Sequence, residues 1–158
     1  MAQTFIFINS KDFAEKIHLW LREAELKSYI MYSDLSNEIR DQTIERFRKG
    51  EIQVLITTNL IARGIDVPEV ELVINYDVPQ KRVGPFKQQS VVGDPETYLH
   101  RIARTGRFGR AGIAVTIYDR DVDKEYIDQI VDYYGMQDLI KTLKDPQELK
   151  EIFKSISE

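Results

Sequence analysis

The chain has 158 residues and a formal net charge of −4, with 42% hydrophobic and 30% charged residues. That length builds one compact domain with a proper core, and the balance is that of a globular chain rather than a disordered one. It contains no cysteine, which excludes disulfides and thiolate metal sites, and no apolar run nears the roughly 18 residues of a membrane span.

Charge is unevenly spread. Residues 119–158 hold eleven acids and six bases, net −5, which leaves residues 1–118 at net +1. An acidic chain can still meet nucleic acid, because a local basic face suffices for contact with phosphate. Coating nucleic acid by charge alone is what the balance argues against.

Thr4–Asn9 (TFIFIN) is short, aromatic and β-branched and reads as a buried strand. Ser10 can cap a helix in which Phe13, Ile17, Trp20, Leu21 and Ala24 recur at helical spacing, with His18 as a packed structural residue. Tyr29–Tyr32 (YIMY) is a second strand. A helix follows from about Ser36 to Lys49, with Ile39, Ile44 and Phe47 inward and Gly50 as a left-handed stop. Gln53–Thr57 and Leu72–Asn75 are apolar throughout, as strands covered on both faces are.

Residues 79–93 (PQKRVGPFKQQSVVG) hold three bases and no acid, with two prolines and two glycines, and read as a long loop. Asp94-Pro95-Glu96 is a helix start, the helix carrying Tyr98 to about Thr105 and stopping at Gly106. Ala114–Tyr118 is the next strand, and two or three helices close the chain, the last opened by Asp145-Pro146. Strands alternating with helices predict a parallel sheet covered on both faces.

His100–Arg110 (HRIARTGRFGR) places Arg101, Arg104, Arg107 and Arg110 three residues apart. On a helix each such step turns about 300°, so the four drift around the cylinder. With the helix ending near Gly106, Arg101 and Arg104 project from its last turns and Arg107 folds back beside Arg104. Two guanidinium groups converging there would grip a phosphate or carboxylate with paired donors. A solvated helix end is the plainer account of one such arginine; four in eleven residues call for an anion.

The chain has no Gly-Lys pair of the kind that ends a phosphate-cradling loop, and no Asp-Glu pair to hold magnesium. It offers cations able to stabilise a phosphoryl transition state without the apparatus to bind a nucleotide's phosphates. That is half an active site.

Tyr98–Gly112 (YLHRIARTGRFGRAG) resembles motif VI of the DEAD-box RNA helicases, and Thr57–Asp66 (TTNLIARGID) resembles their motif V. Phe5–Ser10 is similar to motif IV, and Ser33–Glu51 to the helix that follows the family's His-Gly-Asp. The matches occur in family order over nearly the whole chain. The resemblance implies a single α/β domain, a RecA-like three-layer αβα sandwich on a mainly parallel sheet, spanning residues 1–158. The family's N-terminal RecA-like domain, with its Walker loop and acidic box, is expected to lie outside this chain, and Met1 to mark a dissection of a longer gene.

The resemblance also implies roles. Arg104 and Arg107 would be arginine fingers reaching the γ-phosphate of ATP, with Asp66 and Gly64 beside the nucleotide and Asp66 accepting from its ribose. Mg2+ and the phosphates would be held mainly by the absent N-terminal domain. Ser10, Asn37, Arg40, Thr58, Arg63 and Gly64 would line an RNA sugar–phosphate path, whose sequence-blind contacts need such short polar, cationic and side-chain-free positions. No aromatic platform is evident on that path. His100 and Arg101 would couple the cleft to the missing domain.

Three positions depart from the family. Tyr32-Ser33 stands where His-Gly is usual, Asn37 where glutamine is typical, and Ala103 where glycine is common. The first two bear on RNA affinity; the third stiffens the turn. The TTN and GRFGR forms and the long loop before Tyr98 look most like the mRNA-export helicases of the nuclear pore. That likeness implies a nucleoporin and an inositol-hexakisphosphate-dependent activator as partners, a monomer without membrane attachment, and a place in cytoplasm and nucleus. A helicase of translation or RNA processing, or a non-catalytic RNA- or protein-binding module, are the alternatives.

Overall fold

The computed structural model describes residues 3–32, 34–57, 69–106, 112–143 and 145–157. Five parallel strands form the central sheet: β1 (Thr4–Phe7), β2 (Ser28–Met31), β3 (Val54–Thr57), β4 (Leu72–Asn75) and, later in the chain, β7 (Ile113–Thr116). Their order is β2-β3-β1-β4-β7, so β1 lies at the centre and the chain changes direction across it. In such a sheet the crevice beside the central strand, at the carboxyl ends, is where the connections diverge.

Side-chain alternation along β1 builds two cores. Phe5 and Phe7 face α2 (Asn37–Arg48), where Phe47 stacks on Phe5 with ring centroids 5.1 Å apart and Ile44 is buried beside them. Ile6 and Ile8 face α1 (Lys11–Glu23) and pack with Ala14 and Ile17. Both helices are opened by serine caps, Ser10 accepting from Phe13 N and Ser36 from Ile39 N. Gly50 closes α2 at φ +73°, the left-handed conformation read from its sequence.

The apolar stripes are wider than the surface that covers them. Ala14, Ile17 and Leu21 make the seam of α1, leaving Phe13 at its flank and Trp20 60% exposed, whereas helical spacing predicts both inward. Ile39 is likewise exposed, Thr43, Ile44 and Phe47 being the residues that meet the sheet.

Residues 79–93 are not the irregular loop that their composition suggests. β5 (Gln80–Val83) and β6 (Ser90–Gly93) pair antiparallel, with Lys81 opposite Val92 and Arg82 opposite Val91. Cross-strand pairing satisfies the backbone of this polar segment, and Gly84 at φ +95° allows the turn. The ribbon leads into α3 (Pro95–Ile102), capped by Asp94, which accepts from Thr97 N. α3 and α4 (Lys124–Tyr134) enclose a third cluster of Val78, Tyr98, Ile127 and Ile130. A short 3-10 turn (Gln137–Leu139) and α5 (Pro146–Ser157) follow, Asp145 accepting from Gln147 N where the sequence predicts a helix start.

Candidate functional site

Strand direction sorts the sequence-predicted residues onto two edges of the sheet. Ser10 follows β1, and Asn37 and Arg40 follow β2, so all three lie beyond carboxyl ends. Asn37 is exposed in the first turn of α2 and Arg40 is half-buried one turn on. Lys11 Nζ pairs with Asp34 Oδ2 at 3.4 Å, which ties the loop before Asn37 to the start of α1 beside Ser10.

Tyr32 belongs to the same rim. Its hydroxyl donates to Glu15 Oε1, and Lys11 Nζ sits 5.3 Å from its ring centroid. Burial, then the bond to Glu15, pushes the phenol up to about 12, so it stays a neutral donor. The tyrosine that departs from the family pattern is thus held against α1. Ser33 lies outside the described residues.

α3 runs the opposite way and ends at the amino edge. Val70 N donates to the Arg104 carbonyl at 3.1 Å and Thr105 Oγ1 to the Glu71 carbonyl at 3.2 Å, both just before β4. The helix stops at Ile102 with Ala103 as its cap, a turn earlier than composition predicts, and Gly106 takes φ +72°. Arg104 follows this cap, its side chain half-buried. His100, on the last turn of α3, is half-buried as well.

Arg101 behaves differently from its neighbours. Helix geometry suggested that it projects; instead it is fully buried. Its Nη2 donates to Asn9 Oδ1 at 2.8 Å, and its Nη1 to the Asp77 carbonyl at 3.1 Å and Asn75 Oδ1 at 3.5 Å. Nη1 is 3.6 Å from Asp77 Oδ1, and the guanidinium lies 5.4 Å from the Phe7 ring centroid. Helical side chains lean toward the N-terminus of their helix, which lets Arg101 reach back to the carboxyl edge.

The anion that answers this arginine is therefore intramolecular. Burial draws Arg101 down to about 10, opposed by the Asp77 carboxylate, so the cation persists at neutral pH. Burial also raises Asp77, against the pull of the Asn9 amide, 2.6 Å from Oδ2, and of Arg101. Asn9, Asn75 and Asp77 escaped the sequence reading. The available signal was a polar residue ending each of two apolar strands, where nothing apolar remains to be packed.

Thr58, Arg63, Gly64, Asp66 and Arg107 lie outside the described residues. The first four fall in the sequence between Thr57, which ends β3, and Glu69, three residues before β4. Arg107, and with it the expected convergence on Arg104, falls in the separate segment 107–111.

A half-buried guanidinium at a helix end can meet an anion, since it presents several donors with a permanent charge. Among the described residues no three acid or imidazole groups converge where a metal could sit. A shallow depression of about 450 Å³ beside His18, Arg22 and Lys27 contains none of the residues picked out by sequence.

Known proteins extend the comparison. The family model described as "Helicase conserved C-terminal domain" matches residues 1–109. The ATP-dependent RNA helicase dbp5 of Botryotinia fuckeliana is 42% identical over 160 residues, covering 99% of this chain and 32% of that protein. The chain thus spans about a third of the length of this curated relative.

Among solved structures, the C-terminal domain of the DEAD-box protein Dbp5 superposes with a TM-score of 0.78 at 35% identity, covering 99% of this chain and 83% of that one. S. cerevisiae Dbp5 bound to RNA and ADP BeF3 gives 0.76 at 35% identity, over 99% of this chain and 38% of that one. A variant of the same protein bound to Nup159, a Gle1 variant, IP6 and ADP gives 0.75 at 33%, over 99% and 39%. The RecA-like fold expected from the motifs is the fold observed, and the chain belongs to the helicase conserved C-terminal domain family, in its DEAD-box branch.

Proposed function

We propose that this chain is the second RecA-like lobe of an ATP-dependent RNA helicase, residues 1–158 forming that lobe. An N-terminal lobe would supply the phosphate-binding loop and the acidic box. The observation that carries this reading is the division of labour on α3. Arg101 is locked among the carboxyl strand ends, while Arg104, one turn later, stands half-buried at the opposite edge. α3 and the turn that ends it therefore span an RNA-side edge and a phosphate-side edge.

On the phosphate side, Arg104 and Arg107 act as arginine fingers, each meeting charge that develops during transfer and worth about 10³ to 10⁵ in rate. Asp66 accepts from the ribose and Gly64 lies beside the nucleotide. Bound ATP supplies the phosphoanhydride whose hydrolysis drives the cycle, and Mg2+ is held mainly by the companion lobe. Ser10, Asn37, Arg40, Thr58, Arg63 and Gly64 contact the RNA backbone without reading bases. His100 faces the companion lobe. Arg101 contributes to coupling by fixing α3 from inside, since its guanidinium is spent on Asn9, Asn75 and Asp77.

Likeness to Dbp5 supports a role in mRNA export, with a nucleoporin and an inositol-hexakisphosphate-dependent activator as partners. It likewise supports a monomer acting in cytoplasm and nucleus, at the nuclear pore. The decisive measurement is ATP turnover. The chain alone is expected to hydrolyse ATP negligibly, and covalent linkage to an N-terminal lobe to restore RNA-stimulated hydrolysis. Helicase-like turnover by the chain alone would sink the half-site argument.

A further inference from the structure

The β5–β6 ribbon takes no part in the roles above. Residues 79–93 carry +3 with no acid, while the rest of the chain carries −7. Lys81 is engaged with Asp94 at 3.9 Å, but Arg82 and Lys87 are exposed and have no carboxylate partner among the described residues. At the tip Phe86 is 91% exposed. An exposed aromatic ring between two cations without carboxylate partners offers stacking and charge at one place.

The root of the ribbon is tied to the body of the domain. Asp94 N donates to the Pro79 carbonyl at 2.9 Å, and Gly93 N to Gln129 Oε1 at 2.8 Å. Gly93 lies so close to α4 that an added Cβ would stand 2.4 Å from the Tyr126 carbonyl oxygen. The fold, rather than chance, therefore aims the ribbon, and four residues per strand carry its tip about 13 Å outward.

The ribbon leaves the carboxyl edge of the sheet. Asp77, which precedes it by three residues, accepts from Asn9 N at 2.6 Å, and Asn9 precedes Ser10. The ribbon and the strand-end residues thus start from one corner.

We infer that the β5–β6 ribbon is an additional contact for single-stranded RNA, an inference that rests on the helicase reading above. Arg82 and Lys87 bind phosphates and the Phe86 ring stacks on a base. This supplies the aromatic platform that the strand-end path lacks. Combining cationic groups that follow the backbone with aromatic stacking is how sequence-tolerant single-strand binding is built. A protein partner would want a continuous apolar face. Val83 and Val91 are exposed, but the register puts them on opposite faces of the ribbon.

The test measures binding of the full chain to labelled oligouridylate across a salt series, with Phe86→Ala, the double variant Arg82→Gln/Lys87→Gln, and Arg40→Ala. Phe86→Ala should weaken binding about tenfold with an unchanged melting temperature. Its affinity for an abasic ribose-phosphate oligomer should be unaltered. The double variant should flatten the log–log salt slope by about 1.4. Wild-type affinity and slope in both ribbon variants, with Arg40→Ala weakened, would overturn the ribbon and leave the helicase reading standing. Failure of the wild-type chain to bind RNA at all would overturn the ribbon, while the helicase reading would still stand or fall on RNA-stimulated turnover of the two-lobed protein. Ribbon variants that lose only polyglutamate binding would assign the surface to an acidic protein and overturn the proposal.

Discussion

Arg101 Nη2 donates to Asn9 Oδ1 at 2.8 Å and so joins α3 to the end of the central strand across 92 positions of sequence. Arg101 is fully buried, and its loss takes the Arg101 donor from Asn9 Oδ1 and Asn75 Oδ1 and leaves the Asp77 carboxylate without its counter-charge, held by the Asn9 amide. Breaking a buried pair by removing one partner costs about 3–5 kcal/mol. Arg101→Ala should fall in that range by urea unfolding. Arg101→Lys should recover only part of it, because an ammonium cannot reach two sides at once. A loss below about 1 kcal/mol for Arg101→Ala would mean that the network is not structural.

Arg104→Ala, placed in the two-lobed protein, should lower ATP turnover by about 10³ or more while leaving RNA affinity nearly unchanged. Arg40→Ala should do the reverse, weakening RNA binding and reducing the salt slope by about 0.7 for one single-strand phosphate. Parallel losses of turnover and RNA affinity in Arg104→Ala would assign that residue to the RNA path.

Gly93→Ala should destabilise the domain by about 1–3 kcal/mol, because backbone lies in the way and cannot yield as a side chain can. The damage should be local first. Limited proteolysis is expected to cut within residues 80–93 of the variant before the urea midpoint is reached. Resistance equal to that of the wild type would show that α4 does not hold the ribbon.

His18 is held below its ordinary 6.5 by burial first and by Arg22 second, its Nδ1 lying 2.8 Å from Ser28 Oγ. A depressed histidine favours the neutral form in the folded state. Its contribution is present above pH 6.5 and is lost as pH falls through the lowered folded value. Melting temperature should therefore decline below pH 6.5, and less steeply in His18→Gln. Identical pH profiles for the two proteins would remove His18 from the account.

Burial patterns were legible in the sequence wherever one residue's chemistry decided its place. Four apolar strands, the serine and aspartate caps and the left-handed Gly50 follow from side-chain shape and local backbone limits, and the structure has all of them. Phe13, Trp20 and Ile39 were misplaced because periodicity reports which side of a helix is apolar, not how wide a surface awaits it. The ribbon was missed because β5 is polar throughout and gains its regularity from pairing with β6 rather than from a core.

Amino-acid order by itself determined the family, the parallel architecture and the cluster of arginines, since these are written in residue types at short spacings. Only the tertiary structure decided what each arginine does. Arg101 and Arg104 are the same residue type three positions apart, one in the last turn of α3 and the other just past its cap. One is neutralised by an aspartate that β4 delivers from 24 positions away, and the other is left at the edge of the domain. Electrostatic partners are set by distances in space, and the packing of strand ends against a helix is what fixes those distances.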